Sequence, residues 1–290
     1  MKNNSVAAIV VTYNRLNLLK KCIDGLRSQS NKNFDVIVIN NGSSDGTYEW
    51  LEEQQDLIVL NQDNLGGAGG FYAGMKKAYE DGYEWIWMMD DDGLADKYQL
   101  EKLLEGAKFV NSLFVNALVC DINDNEMLSF GLDFDGNHLS TTKGAKKFKS
   151  IPFSINPFNG TLIHKSIIDK IGFIKKEMFI WGDEVEYTKR AQKAGFEHYT
   201  ITDAIHYHPK YKAQKDYVLP FIKKGLCVVP ANKERAFIKY RNEGYLCKTY
   251  YPQERNKIIM KFFLYYFLRA NYSGFANFYK AFRQGENNIF

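Results

Sequence analysis

The sequence predicts an α/β protein built on a mainly parallel β-sheet that is covered by helices on both faces. Short β-branched and aliphatic runs recur along the first hundred residues, stretches of helical length separate them, and each βαβ unit takes about thirty residues. A chain of 290 residues that is 45% hydrophobic and 25% charged can bury such a sheet. The same composition excludes disordered, collagen-like and coiled-coil chains.

Four short apolar runs bounded by turn residues predict buried strands. They are Val6–Val11, Asp35–Asn40, Leu57–Leu60 and Trp85–Met89. Between them, helical length and pattern predict the helices Leu16–Ser28, Gly46–Gln55 and Gly69–Asp81. Because ligands of such sheets bind beyond the carboxyl ends of the strands, we expect the functional residues in the segments that follow the strands.

The rest of the chain departs from this alternation. From about residue 111 to residue 162, turn signals between apolar pieces indicate β-hairpins. Further along, we predict a helix over Asp183–Ala194, a short strand over His198–Ile201, and helices over Arg235–Tyr250 and Pro252–Leu268. The chain is therefore expected to form two domains, residues 1–210 and a helical region over residues 211–290.

Charge is distributed unevenly along the chain, whose net charge is +4. Residues 1–210 hold 23 Lys and Arg against 29 Asp and Glu, whereas residues 211–290 hold 15 against 5. A basic, aromatic-rich end suits an anionic partner such as phospholipid headgroups or a phosphate-bearing acceptor, and an ordinary solvated basic face is equally expected. We expect no nucleic acid partner.

The sequence does not favour a membrane-spanning or secreted protein. The longest strongly apolar run, Ile258–Leu268, is broken by Lys261 and is shorter than the roughly 20 residues of a spanning helix. The first run, Val6–Val11, is shorter than a signal-peptide core of roughly 7–15 residues. The four cysteines have neither metal-ligand nor disulfide-framework spacing. We expect a cytoplasmic protein, and peripheral contact with the inner face of the cell membrane stays open.

Three adjacent carboxylates, Asp90, Asp91 and Asp92, close the fourth predicted strand. Adjacent carboxylates repel one another unless a cation or solvent compensates them, and Mg²⁺ and Mn²⁺ prefer carboxylate oxygens. Asp90 and Asp92 share a face if the strand continues. The triplet therefore indicates a divalent metal site, with a solvated acidic turn as the alternative.

A glycine-rich segment, Asn64–Phe71, leads into the third predicted helix. Glycine permits close backbone approach, and the free N–H groups at a helix start attract an anion, so the segment could hold a diphosphate. Its spacing matches neither the dinucleotide fingerprint nor the P-loop. A merely tight turn is equally expected.

Short polar side chains follow the first two strands, in the segments Thr12–Arg15 and Asn40–Thr47. Such side chains can contact the edge of a base or a ribose, but Asn, Ser and Asp also cap helices at these positions. We expect Ser44 or Asp45 to be a helix cap. The side chains left available for a ligand are Asn14, Arg15, Asn40 and Asn41.

Two later clusters carry ionisable side chains. Asp183 and Glu184 begin a predicted helix, so one of them could be a general base, while simple preference of acids for a helix N-terminus is the alternative. His206 and His208 lie on one face of an extended segment, and a histidine pair with this spacing is usually incidental.

Together these motifs resemble a known enzyme family. The segments Val-Thr-Tyr-Asn-Arg, Asn-Asn-Gly-Ser-Ser-Asp-Gly-Thr, Asn-Leu-Gly-Gly-Ala-Gly-Gly-Phe, Met-Asp-Asp-Asp and Trp-Gly-Asp-Glu-Val-Glu-Tyr are similar, in this order, to motifs of inverting nucleotide-sugar glycosyltransferases of family two with the GT-A fold. The glycine-rich segment with the acidic triplet is similar to bacterial galactofuranosyltransferases, beside the related rhamnosyltransferases. The resemblance covers about residues 5–209, and Lys239–Asn242 resembles a Tyr-x-Arg-Asn segment of the family.

The resemblance implies a Rossmann-like GT-A domain over residues 1–210, which binds the nucleotide sugar and catalyses transfer. It implies transfer of galactofuranose from UDP-galactofuranose to a hydroxyl of a glycan or lipid-linked glycan in cell-surface polysaccharide synthesis. The alternatives are a rhamnosyltransferase using dTDP-rhamnose, a nucleotidyltransferase that makes sugar nucleotides, and a non-catalytic sugar-binding module.

From its basic, aromatic-rich composition we expect the region over residues 211–290 to bind the acceptor or a membrane surface. Its interleaved aromatic and basic side chains suit an interfacial helix, and a buried helix or a dimer contact is equally expected; these side chains are Lys261, Phe262, Phe263, Tyr265, Tyr266, Phe267 and Arg269.

The resemblance also implies roles for individual residues. Asp90, Asp92 and His208 would hold Mn²⁺ or Mg²⁺. Glu184 would be the catalytic base, with Asp183 as the alternative because the family carries aspartate at the position of Glu184. Trp181 and His206 would contact the donor or acceptor sugar. The nucleotide sugar would be bound by Thr12, Asn14, Arg15, Asn40, Asn41, Asn64, Gly66, Gly67 and Asp91, although relatives usually carry aspartate at one of the Asn40 and Asn41 positions.

Overall fold

The computed structural model describes residues 5–210, 215–219, 222–230 and 232–290. The four residues before the described chain, and residues 211–214 at the start of the predicted helical region, lie outside the described residues. The chain divides into two compact units, which we call the sheet unit (residues 1–176 and 187–211) and the helical unit (residues 177–186 and 212–290). The functions assigned above to the two predicted domains stay predictions.

The strands of the sheet unit alternate at first with helices, as the sequence predicts. The strands are β1 (Val6–Thr12), β2 (Phe34–Asn40), β3 (Leu57–Asn61), β4 (Trp85–Asp90), β5 (Leu94–Ala95), β6 (Phe114–Asp121), β7 (Asp124–Phe134), β8 (Asn137–Thr141), β9 (Ser150–Pro152), β10 (Asn159–His164) and β11 (His198–His208). The helices are α1 (Leu16–Arg27), α2 (Thr47–Glu52), α3 (Gly66–Glu80), α4 (Gln99–Val110), α5 (Thr142–Ala145), α6 (Lys165–Ile171) and α7 (Asp183–Lys193), which begins in the helical unit.

The central sheet has the strand order β3-β2-β1-β4-β10-β6-β11-β5. Strands β1 to β4 are parallel to one another, β10 runs antiparallel to β4 and β6, and β11 is parallel to β6. Every residue of β1 is buried, as expected for a strand covered on both faces. The predicted α/β class with a mainly parallel sheet is confirmed.

The register of this sheet decides which strand ends meet. Thr12 lies opposite Asn40 on β2, and Val11 lies opposite Asp90 on β4. The polar segments that follow β1, β2 and β4 therefore come together at the carboxyl edge of the sheet.

Two predicted elements differ from the observed ones. Helix α3 begins at Gly66 rather than Gly69, so most of the predicted glycine-rich loop is the first turn of the helix. Strand β11 extends to His208 rather than ending at Ile201, because a register shift between Ile201 and Ile205 lets it continue along β6. The predicted hairpins are present in β7 and β8, joined by Asp135 and Gly136 with positive φ angles of 50° and 71°.

The helical unit contains a two-stranded antiparallel sheet and three helices among its described residues. The elements are β12 (Lys215–Leu219), β13 (Lys224–Val228), α8 (Lys233–Tyr250), α9 (Arg255–Phe267) and α10 (Tyr272–Glu286). The sequence analysis predicted α8 and α9 but missed the small sheet. Helix α9 buries Phe262, Tyr265 and Tyr266 in the core of this unit and exposes Phe263 and Phe267. No helix in the described ranges is long and apolar enough to cross a bilayer.

Candidate active site

The ends of β1 and β4 form a network of charged side chains. Thr12 Oγ1 donates a 2.7 Å hydrogen bond to Asp91 Oδ2. The guanidinium of Arg15 lies 3.2 Å from Asp91 Oδ1 and 2.7 Å from Asp92 Oδ2. Asp91 is buried, whereas the side chain of Arg15 is 48% exposed. The network therefore presents a cation at the surface above two carboxylates.

The extended end of β11 brings His208 to the same network. His208 Nε2 lies 3.2 Å from Asp92 Oδ1. His208 Nδ1 lies 2.7 Å from the carbonyl oxygen of Pro209, which can only accept a hydrogen bond, so the proton sits on Nδ1. The other ring nitrogen, Nε2, faces the carboxylate of Asp92. A strand ending at Ile201, as predicted, would not have shown this placement.

The acidic triplet carries more negative charge than its surroundings compensate. Burial, and then the charges of Asp92 and Asp91, raise the pKa of Asp90 to about 7. Burial raises the pKa of Asp91 to about 6 against the hydrogen bond from Thr12 and the charge of Arg15. Burial also acts to raise the pKa of Asp92, but the His208 imidazole and the Arg15 guanidinium outweigh it and lower that pKa. The site would accept further positive charge.

The residues at this edge fit a divalent cation in part. Asp92 Oδ1 is buried and lies 3.2 Å from His208 Nε2, so one oxygen and one nitrogen that could ligate a metal lie side by side. Asp90 precedes them at the end of β4. Within the described ranges, however, no three His, Cys, Asp or Glu side chains are grouped as a complete metal site. The predicted ligand set therefore stays a prediction.

His206 lies behind the acidic turn. It is fully buried, its Nδ1 lies 3.2 Å from Gln99 Oε1, and its Nε2 has no hydrogen-bond partner. A Cβ atom at Gly93 would come within 2.2 Å of that Nε2, and burial lowers the pKa of His206 to about 3. A buried neutral imidazole offers no exposed surface to a sugar, so the predicted sugar contact gains no support from its position.

Asn40 and Asn41 hold the loops at the strand ends together. Asn40 Nδ2 donates to Asn61 Oδ1, and Asn41 Nδ2 donates to the carbonyl oxygen of Gly66, each at 2.9 Å. Asn41 Oδ1 in turn accepts from the backbone N–H of Leu65 at 3.2 Å. Both asparagines are buried, and their amides are engaged within the protein. The prediction that they are left available for a ligand is therefore not supported by their positions.

Asn14 and Asp45 organise the two polar loops. Asn14 has a positive φ of 53°, and its Oδ1 accepts a 2.7 Å hydrogen bond from the N–H of Ser44. Asp45 accepts from the N–H groups of Leu16 at 2.9 Å and Thr47 at 3.3 Å, which are the first residues of α1 and α2. Neither Ser44 nor Asp45 occupies the N-cap position of α2, which is Gly46, but Asp45 accepts from the first N–H group of both helices.

Most glycines of α3 are needed for packing. A Cβ atom at Gly70 would lie 2.4 Å from Val11 Cγ1, and one at Gly74 would lie 2.4 Å from Ile9 Cγ2. Only glycine lets the helix approach β1 this closely. At Gly67 a Cβ atom would meet nothing within 4 Å, and Gly66 has a positive φ of 73°. Gly66 is buried and its N–H donates a 3.0 Å hydrogen bond to Asn64 Oδ1, so Gly67 is the position in the first turn of α3 that keeps free space around it.

In the helical unit, the predicted catalytic acids begin α7. Gly182 N–H donates a 2.8 Å hydrogen bond to Glu184 Oε2, and Asp183 is buried. Trp181, directly before them, has a positive φ of 63°. Sequence reasoning missed the side chains of Arg241 and Asn242 on α8, which hydrogen bond to the backbone of residues 177–181. Their only sequence signal was the weak resemblance of Lys239–Asn242.

The model of the family described as "Glycosyl transferase family 2" matches residues 7–172, which include β1 to β4 and the acidic triplet. The chain belongs to glycosyltransferase family 2. This family membership agrees with the polar side chains at the ends of the strands and with the resemblance that the sequence motifs indicate.

Two mycobacterial proteins match this glycosyltransferase over most of its length. Galactofuranosyltransferase GlfT1 of Mycobacterium tuberculosis strain H37Rv is 34% identical over 254 residues. GlfT1 of Mycolicibacterium smegmatis is 32% identical over 251 residues, and each match covers 83% of this chain and 82% of the relative. The dTDP-rhamnosyl transferase RfbF of Shigella flexneri is 26% identical over 215 residues, covering 69% of this chain and 68% of RfbF.

Two solved structures share the fold of this glycosyltransferase. GalNAc-T7 with UDP, GalNAc and Mn²⁺ superposes with a TM-score of 0.56 at 12% identity, covering 71% of this chain and 44% of that one. Staphylococcus aureus TarS 1–349 in complex with UDP superposes with a TM-score of 0.53 at 14% identity, covering 98% and 91%. The predicted GT-A fold is confirmed.

Proposed function

We propose that this glycosyltransferase moves galactofuranose from UDP-galactofuranose to a hydroxyl of a glycan or lipid-linked glycan acceptor, with inversion at the anomeric carbon and in the presence of Mn²⁺ or Mg²⁺. The observation that carries the choice of donor is the 34% identity with GlfT1 of Mycobacterium tuberculosis across 83% of this chain. Such an activity belongs to cell-surface polysaccharide synthesis.

The network at the carboxyl edge of the sheet supports a nucleotide site. Arg15 is held by Asp91 and Asp92, so its position is fixed while its side chain stays half exposed. In the proposal Thr12, Asn14, Arg15 and Asp91 border the nucleoside. The first turn of α3 at Gly66 and Gly67, with Asn64, faces the diphosphate; Gly67 supplies the free space, whereas Gly66 is buried. Asn40 and Asn41 then act by fixing these loops.

Asp90, Asp92 and His208 would hold the metal in this proposal. A bound Mn²⁺ or Mg²⁺ would neutralise the negative charge that develops on the departing diphosphate. The chain itself would contribute the Oδ1 of Asp92 and the Nε2 of His208, which lie 3.2 Å apart, and the Pro209 carbonyl sets the orientation of the imidazole.

Glu184 is the proposed catalytic base, with Asp183 as the alternative. The bond between the anomeric carbon and the diphosphate oxygen breaks, the acceptor oxygen bonds to that carbon from the opposite face, and the proton of the acceptor hydroxyl passes to the carboxylate. Direct displacement inverts the anomeric centre and needs no covalent enzyme intermediate. Trp181 is proposed to contact a sugar.

The proposal is tested by a donor screen with the purified protein. UDP-galactofuranose, UDP-galactopyranose, UDP-glucose and dTDP-rhamnose are offered with Mn²⁺, and nucleoside diphosphate release and thermal stability are measured. We expect release specific to UDP-galactofuranose and its loss on addition of a chelator. Asp92→Asn should abolish release, whereas Asp203→Asn, an exposed carboxylate on the same strand as His208, should not.

A second donor has its own supporting observation. The similarity to RfbF of Shigella flexneri supports dTDP-rhamnose. If dTDP-rhamnose alone is turned over, the proposed donor is wrong while the proposed site stands. If no nucleotide sugar is turned over or bound, the proposal fails. Membership of family 2 favours sugar transfer over the nucleotidyltransferase and the sugar-binding module.

We also propose that the helical unit contacts an anionic membrane surface at the inner face of the cell membrane. Helix α9 exposes Met260 and Phe267 by 56% and 51% of their surfaces. A groove of about 280 Å³ beside them has a largely apolar floor and three lysines at its rim; the lining residues are Val218, Leu219, Lys224, Gly225, Lys257, Met260, Lys261 and Leu264. Apolar side chains flanked by lysines suit the boundary between headgroups and acyl chains.

Vesicle sedimentation tests this partner. The protein should sediment with vesicles that contain anionic lipid, and less with neutral vesicles or at high salt. Reversing Lys224 and Lys261 to glutamate should reduce sedimentation, whereas reversing Lys143 and Lys147 of the sheet unit should not. Equal sedimentation of both variants, or none of the wild type at low salt, would contradict the membrane contact.

A further inference from the structure

The backbone directly before α7 is held in an uncommon conformation. Phe179, Trp181 and Gly182 have positive φ angles of 66°, 63° and 96°. Residues other than glycine rarely adopt such angles, and they do so where the surrounding structure enforces it. Something in the helical unit must therefore hold this segment.

Asn242 is the main contact that holds it. Its Nδ2 donates to the carbonyl oxygens of Met178 at 2.8 Å, Ile180 at 3.0 Å and Trp181 at 2.8 Å. An amide group has two hydrogens, so one of them is shared between two carbonyls. The side chain of Asn242 is buried. These bonds engage the carbonyls of Ile180 and Trp181 in an irregular segment, and they add to the bond that the Met178 carbonyl accepts from the N–H of Ile180 at 2.8 Å.

Arg241 fixes the direction of that amide. Its Nε and Nη2 donate to Asn242 Oδ1 at 3.2 and 3.1 Å, so the oxygen of the amide faces the guanidinium and the nitrogen faces the carbonyls. Arg241 Nη2 also donates to the carbonyl oxygens of Glu177 at 3.1 Å and Met178 at 3.2 Å. We call Arg241 and Asn242 the α8 clamp.

The clamped segment leads directly into the first turn of α7. Gly182 N–H donates to Glu184 Oε2, and the carbonyl oxygen of Gly182 accepts from the N–H of Glu186, both at 2.8 Å. A Cβ atom at Gly182 would lie 3.0 Å from Leu246 Cδ1 and 3.7 Å from Asn242 Cβ, so α8 also limits the room at this position. Contacts from α8 thus hold the backbone from which the first turn of α7 begins, directly before Asp183 and Glu184.

We propose that the α8 clamp positions the carboxylates of Asp183 and Glu184 for the transfer reaction, with Asn242 as the principal positioning residue. This inference rests on the proposed function, in which one of those carboxylates accepts the proton of the acceptor. The clamp does not touch the reacting atoms. It acts by fixing the backbone that carries the base, and a small displacement of a catalytic group has a large effect on rate.

Asn242→Asp and Asn242→Ala test the clamp. The aspartate keeps the size of the side chain but, when ionised, presents only acceptor oxygens to three carbonyl oxygens. The alanine removes all three hydrogen bonds. In both variants kcat should fall by about 100-fold at saturating donor and acceptor. The affinity for UDP should change little, because the residues proposed to bind the nucleotide lie in the sheet unit. Hydrogen exchange of residues 178–186, measured by mass spectrometry, should become faster.

Tyr240→Phe is the matched control on the same helix. Its hydroxyl lies 2.9 Å from that of Tyr266 in the core of the helical unit, so the variant loses a buried hydrogen bond without touching the clamp. It should be destabilised to a similar degree but should keep kcat and the slow exchange of residues 178–186. Assays are run below the melting temperatures of all variants.

The outcomes separate the clamp from the proposed function. If the wild type is active and Asn242→Ala keeps its kcat, or loses no more of it than Tyr240→Phe, the positioning role is wrong. Faster exchange in Asn242→Asp and Asn242→Ala without a change in kcat would also show that the positioning role is wrong. If the wild type transfers no sugar from any donor, the proposed function fails, and unchanged exchange in Asn242→Ala would then also overturn the clamp.

Discussion

Single glycines in α3 are explained by the strand beneath them. Gly74 packs against Ile9 and Gly70 against Val11, and both partners are β-branched residues of the buried strand β1. A side chain at either glycine would force the helix away from the sheet, because protein interiors have no room to absorb an extra methyl group. The glycine-rich sequence is thus mainly a packing feature, and Gly67 is the position in its first turn that keeps free space around it.

Gly74→Ala should therefore destabilise the protein. We expect the free energy of unfolding to fall by about 1–3 kcal/mol, as for other overpacked cores. Gly67→Ala, in the same helix, should leave stability unchanged or raise it by up to about 1 kcal/mol, since alanine is the better helix former and meets no neighbour. Urea unfolding of both variants checks this, and equal stability of the two would contradict the packing explanation.

Glu286 is a second residue whose surroundings set its behaviour. Its carboxylate accepts from Arg255 Nε at 2.5 Å and from Arg283 Nη1 at 3.0 Å, which joins the start of α9 to the end of α10. Burial raises the pKa of Glu286, but the hydrogen bonds and charges of Arg255 and Arg283 outweigh it, so the pKa is lowered overall. The ionised form therefore stabilises the folded state.

The interaction of Glu286 with Arg255 and Arg283 predicts that the stability of the protein depends on pH. Because the folded pKa of Glu286 lies below the unfolded value, its contribution is complete above the unfolded pKa of about 4.3 and is lost as the pH falls through the folded pKa. Glu286→Gln should lower the free energy of unfolding by about 1–3 kcal/mol at pH 7 and have little effect at the lowest pH at which the protein stays folded. Glu254→Gln, which removes the exposed pair with Lys257, should cost less than about 1 kcal/mol. Denaturant unfolding across pH measures both.

At the scale of elements, α8 depends on a cap at its start. Asn232 Oδ1 accepts a 3.0 Å hydrogen bond from the N–H of Arg235, in the first turn of the helix. Asn232→Ala should lower the free energy of unfolding by about 0.5–2 kcal/mol, and Asn232→Asp should retain the cap. Thermal unfolding of the two variants distinguishes them, and unchanged stability of Asn232→Ala would mean that the cap contributes nothing.

Strand β11 shows a second property of elements. The strand predicted from the sequence ends at Ile201. Pairing with β6 resumes after the register shift and carries the strand to His208. An irregularity in one strand is accommodated by its neighbour, which local patterning cannot show.

At the scale of the whole molecule, ligand binding should be visible as stability. UDP with Mn²⁺, at about 100 times its dissociation constant, should stabilise the folded protein by about 2.7 kcal/mol. For a chain of this size that corresponds to a rise in melting temperature of roughly 4–5 °C. A chelator should remove most of the rise. Full stabilisation by UDP in the presence of chelator would contradict the proposed metal.

The distribution of charge is also a property of the whole chain. The basic excess over residues 211–290 is visible in the sequence, but exposure decides which side chains can use it. Of the aromatic residues on α9, Phe262, Tyr265 and Tyr266 are buried, while Phe263 and Phe267 are exposed. Helix α9, the predicted interfacial helix, therefore packs one face into the core of the helical unit and exposes the other.

The sequence by itself determined the α/β class, the first four strands and the family. These follow from local apolar runs, from turn residues and from ordered motifs, each of which lies within a few residues of chain. The acidic triplet after β4 was visible for the same reason. Such features can be recognised in a sequence without knowing which residues pack against them.

Tertiary structure alone decided which of these residues meet. The pairing of Asp92 with His208 joins residues more than a hundred positions apart, and it depends on the register of β11 against β6. The burial of Asn40 and Asn41, and the clamp of Asn242 on residues 178–181, depend equally on packing. Hydrogen bonds between distant segments form only once the core has fixed their distance, so no local pattern encodes them.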